Sequence, residues 1–299
     1  MTFHSGEIAV QTQAGVREEA QRLCTVLSNT IGSAAQAFLC AQHLAVASTV
    51  DANGKVWASL LTGQPGFVQV LNEQTLQVDA NFVPGDRLKQ NLYDNAQIGL
   101  LAIDLTNRRR LRLNGKAEIQ AEKKIIVQIQ QAFFNCPKYI QIRHVETEVV
   151  EATEKPEILT KEALNETNRH WITTADTFFI ASFHPESGAD ASHRGGYPGF
   201  VQVANSNKLV FPDYAGNNMF QTLGNLVVNP NAGLLFVDFE YGHTLQLTGK
   251  AEVVWDAKRL RTFAGAQRLV EFDIEQVLEI GNASSLRWRF GEYSPAIPR

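Results

Sequence analysis

Long apolar runs are missing from this sequence. No stretch approaches the ~20 residues that cross a bilayer, so a membrane partner is not expected. The opening residues MTFHSGEIAV carry no basic segment followed by an apolar one, which predicts no signal peptide. Cysteine is scarce. Cys24, Cys40 and Cys136 are odd in number and far apart, which excludes a disulfide framework and a zinc spacing and suggests a reducing, cytoplasmic setting. Excess positive charge is absent too: 27 Lys and Arg against 31 Asp and Glu give a net charge of -4, so nothing draws the chain as a whole to nucleic acid. No GxGxxG, Walker A, GxSxG or HExxH motif occurs, and the histidines, His170 and His193 among them, lack metal-ligand spacing. The commonest nucleotide-fold, hydrolase and metalloprotease readings are thereby excluded, and no metal is assigned.

What is present is repetition. PGFVQV stands at 65–70 and again at 198–203, 133 positions on. NGKAE at 114–118 returns as TGKAE at 248–252, GLLAID at 99–104 as GLLFVD at 233–238, and Asn91-Leu92 as Asn225-Leu226, all displaced by 134. Collinear matches at a nearly constant displacement mean an internal duplication. We divide the chain into 1–155, a helical lead plus the first copy, and 156–299, the second copy, with the polar EATEKP at 151–156 as linker.

Runs rich in Val, Ile, Leu and Phe, broken by Gly, Asn and Pro, predict strands near 44–49, 55–62, 67–71, 75–80, 97–104 and 109–120, then a helix near 121–133 and a strand near 139–151. The second copy predicts strands near 177–183, 190–194, 199–203, 208–212, 232–239 and 243–255, a short helix and a strand near 269–280. Helices are expected over 16–38 and 161–174. The fold class is therefore mainly β with peripheral helices, as two small barrels that close to hide their edges.

Chemistry should lie where the twins diverge. Ser59-Leu60-Leu61-Thr62 of the first copy is replaced by Ser192-His193-Arg194-Gly195 in the second, followed by Gly196. A guanidinium fork, a hydroxyl and bare backbone suit a phosphate. Asn217, Asn218 and Thr222 precede and open a segment read as a helix, whose N-terminus favours an anion. The plainer alternative is a surface arginine and an ordinary turn. Arg108-Arg109-Arg110 is read as a solvated face, against the option that one arginine reaches a ligand across the barrel interface. Cys136, with no second cysteine near it, is expected to be structural.

The runs DASHRGGYPGF at 190–200, PDYAGNN at 212–218 and GLLFVD at 233–238 resemble FMN-binding proteins related to pyridoxamine 5′-phosphate oxidase. LTGQPGF at 61–67, RRRLRLNG at 108–115 and NCPKYIQ at 135–141 extend the resemblance to the first copy. It implies split β-barrels with FMN between two of them, paired within this chain or in a further homodimer. It implies phosphate contacts at Ser192, His193 and Arg194 and a phosphate loop at Asn217, Asn218 and Thr222, with Gly195 and Gly196 admitting the ligand. It also suggests Lys138 as an anion contact, against a plain strand-end lysine, and Trp288 beside the flavin ring, against a tail that packs on the barrel. Leu60 and Leu61 depart from the pattern, so one ligand per chain is expected. The implied activity is an FMN-dependent oxidoreductase acting with a small-molecule substrate or electron donor. The alternatives are a non-catalytic flavin carrier or haem binder on the same barrel, with His193 or His170 as axial ligand, and a barrel pair whose site has decayed into an interaction module.

Overall fold

The computed structural model describes residues 2–121, 123–146 and 156–298. Three short helical pieces lead: α1 (Ser5–Gln13), α2 (Arg17–Arg22), which runs into a 3-10 turn at Leu23–Val26, and α3 (Ser33–Cys40). The continuous helix expected over 16–38 is thus broken. Ser28 exchanges backbone hydrogen bonds with Ala132, and its hydroxyl accepts from the Thr30 amide, so this polar stretch serves a strand rather than a helix.

The first copy contains β1 (Leu44–Val50), β2 (Val56–Thr62), β3 (Val68–Asn72), β4 (Thr75–Asp79), α4 (Leu88–Asp94), β5 (Gln97–Asp104), β6 (Arg109–Gln120), β7 (Lys124–Asn135) and β8 (Arg143–Val145). The helix expected near 121–133 is the strand β7. Ile125, Val127 and Ile129 are buried at alternate positions, and that period of two packs them into the barrel. The strand expected near 139–151 is seen as β8 only; the rest of it, and the proposed linker up to 155, lie outside the described residues.

The second copy contains β9 (Ile158–Lys161), α5 (Glu166–Thr174), β10 (Thr177–His184), β11 (Gly188–Gly195), β12 (Gln202–Asn205), β13 (Lys208–Asp213), α6 (Gln221–Val228), β14 (Asn231–Val237), β15 (Thr244–Val254), α7 (Ala257–Leu260), β16 (Arg268–Ile280) and β17 (Trp288–Phe290). The segment expected as one helix over 161–174 begins as the end of β9. Its helix starts only at Glu166, where Asn165 accepts the Asn168 amide at 2.8 Å.

The two large sheets have matching antiparallel orders, β2-β1-β5-β6-β7-β4-β3 and β11-β10-β14-β15-β16-β13-β12, with β9 added on β16. The repeated strings have structural jobs. In PGFVQV the glycines Gly66 and Gly199 take φ of 95° and 90°, and Phe67 and Phe200 donate back to Gln64 and Tyr197, forming matched turns that need Gly in third place. In NGKAE and TGKAE, Gly115 and Gly249 sit where the β6–β7 and β15–β16 registers slip, and a Cβ there would strike the carbonyl of Gln128 or Asp273.

Each barrel has its own core, and a third core joins them: Val46, Leu60 and Leu101 from one copy meet Phe179, Ala191 and Leu235 from the other. The joint is nearly two-fold symmetric. Gly99 lies so close to Ala189 and Asp190 that a Cβ would come within 2.6 Å of backbone, and its counterpart Gly233 abuts Val56 at 2.7 Å and Trp57 at 2.9 Å. Asn91 donates to Thr49 at 3.0 Å, and its counterpart Asn225 donates to Ser182 at 2.9 Å. No helix among the described residues is long and apolar enough to cross a membrane.

Candidate functional site

The seam between the barrels opens into a narrow recess of about 70 Å³. The first copy supplies Arg110, Arg112, Cys136 and Tyr139; the second supplies Ser192, His193, Arg194, Gly195, Tyr214 and Asn217. An adjoining recess of about 60 Å³ continues from Arg112, Arg194 and Asn217 to Asn218, Gln221 and Thr222 at the start of α6. Seven of the ten residues singled out from sequence therefore converge on one place, from β11 and from the loop that leads into α6.

The other three do not line these recesses. Gly196 packs under the Phe200 ring and donates to the Asp176 carbonyl at 3.0 Å. Lys138 is exposed; its backbone carbonyl, 3.5 Å from Arg110, is what faces the site. Trp288 is buried on β17, edge-on to Phe239, and borders a separate groove with Arg143, Trp171 and Phe290.

Arg110 and Arg112 were the hidden partners. They alternate with Leu111 and Leu113 on β6, a pattern that reads as a wet face, yet the second sheet covers that face and both are under a tenth exposed. Arg108 does lie at the rim, paired with Glu292 at 2.9 Å, and the exposed Arg109 lies over the Phe38 and Phe134 rings. The signal that finds the buried pair is the duplication: the counterparts of Arg110 and Arg112 are Thr244 and Gln246.

Arg112 holds both oxygens of Asp190, at 3.1 and 3.0 Å, and donates to Ser192 Oγ at 2.5 Å. Thr222 and Asn114 also donate to Asp190, at 3.2 and 3.3 Å. Asp213 is shared by Arg268, at 2.9 and 2.7 Å, and Arg194, at 3.5 Å. Arg110 forms no ion pair with a described carboxylate. It donates to His193 Nδ1 at 3.1 Å and approaches Cys136 Sγ at 3.8 Å, and burial lowers its pKa to about 10. Four guanidiniums thus face two carboxylates, leaving two positive charges to be met.

Burial, and then the charges of Arg110, Arg143 and Arg194, push the His193 pKa well below its usual value, so the ring is neutral at pH 7. Because an arginine can only donate, Nδ1 accepts and the proton sits on Nε2. That Nε2 has no partner among the described residues, and neither do Nε of Arg110, Arg112 and Arg194 or Nε2 of Gln221. All five are buried donors, an arrangement that suits an acceptor-rich ligand. The backbone is strained here as well: Tyr139, Asn218 and Phe220 adopt left-handed φ of 68°, 61° and 60°. The start of α6 receives no side-chain cap from Phe220.

The mirror position carries none of these charged groups or the histidine. Leu60 and Leu61 stand for His193 and Arg194, Thr244 and Gln246 for the two β6 arginines, and Trp57 for Asp190.

The sequence profile described as pyridoxamine 5′-phosphate oxidase matches the chain twice, over residues 31–150 and 164–289. No curated protein matches it. Among solved structures, HupZ of Group A Streptococcus is 12% identical, with 38% of this chain and 90% of that one covered at a TM-score of 0.32. A putative pyridoxamine 5′-phosphate oxidase of Lactobacillus delbrueckii is 16% identical, with 39% and 94% covered at a TM-score of 0.33. An FMN-binding protein of Syntrophomonas wolfei is 9% identical, with 38% and 84% covered at a TM-score of 0.29. Two profile matches that together span most of the residues, on two sheets of one topology, make this chain a tandem member of the pyridoxamine 5′-phosphate oxidase family.

Proposed function

We propose that the chain is an FMN-binding flavoprotein of the oxidoreductase type, with one ligand site per chain. The observation that carries the reading is the pair of unneutralised guanidinium charges at the seam, which matches the charge of about -2 on a phosphate monoester. Ser192, Arg112, Arg194, Asn217 and the uncapped start of α6 would hold the phosphate. Tyr139, Phe200, Pro212 and Tyr214 wall the outer recess and would receive the flat ring system. Bound flavin supplies electron transfer; the chain's own residues bind it, orient it and exclude water. Neutral His193, with its proton on Nε2, would present a fixed donor to the ligand.

A cationic haem centre is disfavoured by three arginines around His193, and His170 lies exposed on α5. The two copies act as an intrachain pseudo-dimer that meets a small-molecule substrate or electron donor. The three free cysteines fit a reducing cytoplasm. The test is titration of purified chain with FMN, followed by absorbance near ~450 nm and flavin fluorescence, a general property of the cofactor. One equivalent bound by wild type, and binding weakened at least tenfold in R194A, is the expected result. No retained flavin, or equal affinity in R194A, would reject it.

A further inference from the structure

In the mirror position of the first copy a side chain stands where the second copy leaves a gap. Asp86 lies in the loop before α4, and its counterpart before α6 is Phe220, which has no acid group. Its residue is only half-buried, but its carboxylate turns inward onto two fully buried side chains. Oδ1 accepts the Ser59 hydroxyl and the Leu88 amide, both at 2.7 Å, and Oδ2 accepts Gln246 Nε2 at 2.6 Å. These three donors are the counterparts of Ser192, Thr222 and Arg112, which frame the anion recess of the second copy.

The correspondence extends further. On β15, Thr244, Gln246 and Thr248 occupy the places of Arg110, Arg112 and Asn114, and all three are at most 1% exposed. Thr244 Oγ1, Gln246 Oε1 and Thr248 Oγ1 have no hydrogen-bond partner among the described residues. A row of buried polar oxygens left unpaired along one strand serves no apolar core. It fits a former binding site that kept its shape and lost its cations.

We propose that Asp86 is a tethered substitute for the ligand's acid group, so that the first copy is a latent oxyanion site permanently filled by its own chain. The idea rests on the anion reading of the second-copy recess. It explains why a chain with two matching barrels takes one ligand, and it fixes where that ligand's acid group belongs: among Ser192 Oγ, the Thr222 amide and Arg112. Burial, opposed by the Ser59 hydrogen bond and the other donors, raises the Asp86 pKa, as expected for an acid enclosed without a cation on its oxygens.

The experiment uses the full chain as wild type, D86A and D86N. Thermal unfolding is measured in chloride, formate and inorganic phosphate at matched ionic strength, with an FMN titration of each protein alongside. Alanine strips the acceptor from three buried donors and opens the loop to solvent, so D86A should melt about 5 °C or more below wild type. Formate or phosphate should then recover at least half of that loss. D86N, which keeps the shape and part of the bonding, should lose less and gain nothing beyond the wild-type response. FMN stoichiometry should remain one in all three. If D86A does not fold in chloride, refolding from urea with formate present is the readout, and failure to recover overturns the proposal. It is also overturned if D86A responds to these anions no more than wild type, or if D86N responds as strongly. Anion rescue of D86A with no FMN bound to wild type would sink the flavin reading and leave Asp86 in its role.

Discussion

Replacing Arg110 by glutamine separates what this residue costs the fold from what it gives a ligand. Its guanidinium is buried without a carboxylate partner among the described residues, and the pKa falls to about 10 because burial penalises the charge. At 1.36 kcal/mol per pKa unit, that penalty is about 3 kcal/mol. The folded state holds the proton less tightly than the unfolded chain, so the cost is fully present at pH 7 and would be relieved only above pH 10. Hydrogen bonds to His193 and to the Lys138 carbonyl offset part of it. Ligand-free R110Q should therefore melt no earlier than wild type. The same change removes a charged donor from the recess and should weaken FMN binding by ten- to a hundredfold, the equivalent of about 1.5–3 kcal/mol. R112Q is the contrast. It strands Asp190 in the interior and should destabilise the chain by about 3 kcal/mol or more, with or without ligand. Differential scanning calorimetry without flavin, paired with fluorescence titration, reads both quantities. An R110Q protein that melts several degrees early while binding FMN normally would refute the reasoning, since Arg110 would then be a structural residue.

Riboflavin, which lacks the phosphate, leaves both excess charges unmet and should bind at least a hundredfold more weakly than FMN in the same titration. Glu7 sits on α1 against α6, its pKa raised from 4.5 to about 7, chiefly by burial. Its contribution to stability is full below pH 4.5 and is lost as the pH rises to about 7, so E7Q should match wild type near pH 5 and exceed it at pH 8 by up to about 3 kcal/mol, measured by urea midpoints. Its neighbour His4, lowered to about 4 by burial, works in the opposite sense: its contribution is full above pH 6.5 and is lost as the pH falls toward 4. G233A would push a methyl carbon into the backbone of Val56 and Trp57, and should cost about 2 kcal/mol or more by chemical denaturation.

The duplication was fully legible, because repeated strings mark turns and bulges whose glycines have no substitute: Gly66 and Gly199 for their positive φ, Gly115 and Gly249 for lack of room. The β11 half of the site was legible for the same reason, as a departure of one copy from the other. The β6 half was not. RLRLN alternates as a half-solvated strand does, and nothing local says that its polar face meets a second sheet. KIIVQIQQAFFN was misread for a related reason: a short apolar run without turn residues supports either period, and only the β4 and β6 neighbours settle it. For Trp288 the sequence left two readings open, and the structure shows the packed tail; the pairing of β17 with β8 that places it there cannot be deduced from either segment alone.

The third core cements one sheet to the other within one polypeptide, where two identical partners would have to meet by diffusion. In an assembly of identical subunits every substitution arrives in duplicate, so replacing an arginine in one pocket silences both. Here Gln246 and Arg112 stand at matching places and differ. Covalent linkage of the halves leaves each pocket free to vary without the other, and dilution cannot separate the two.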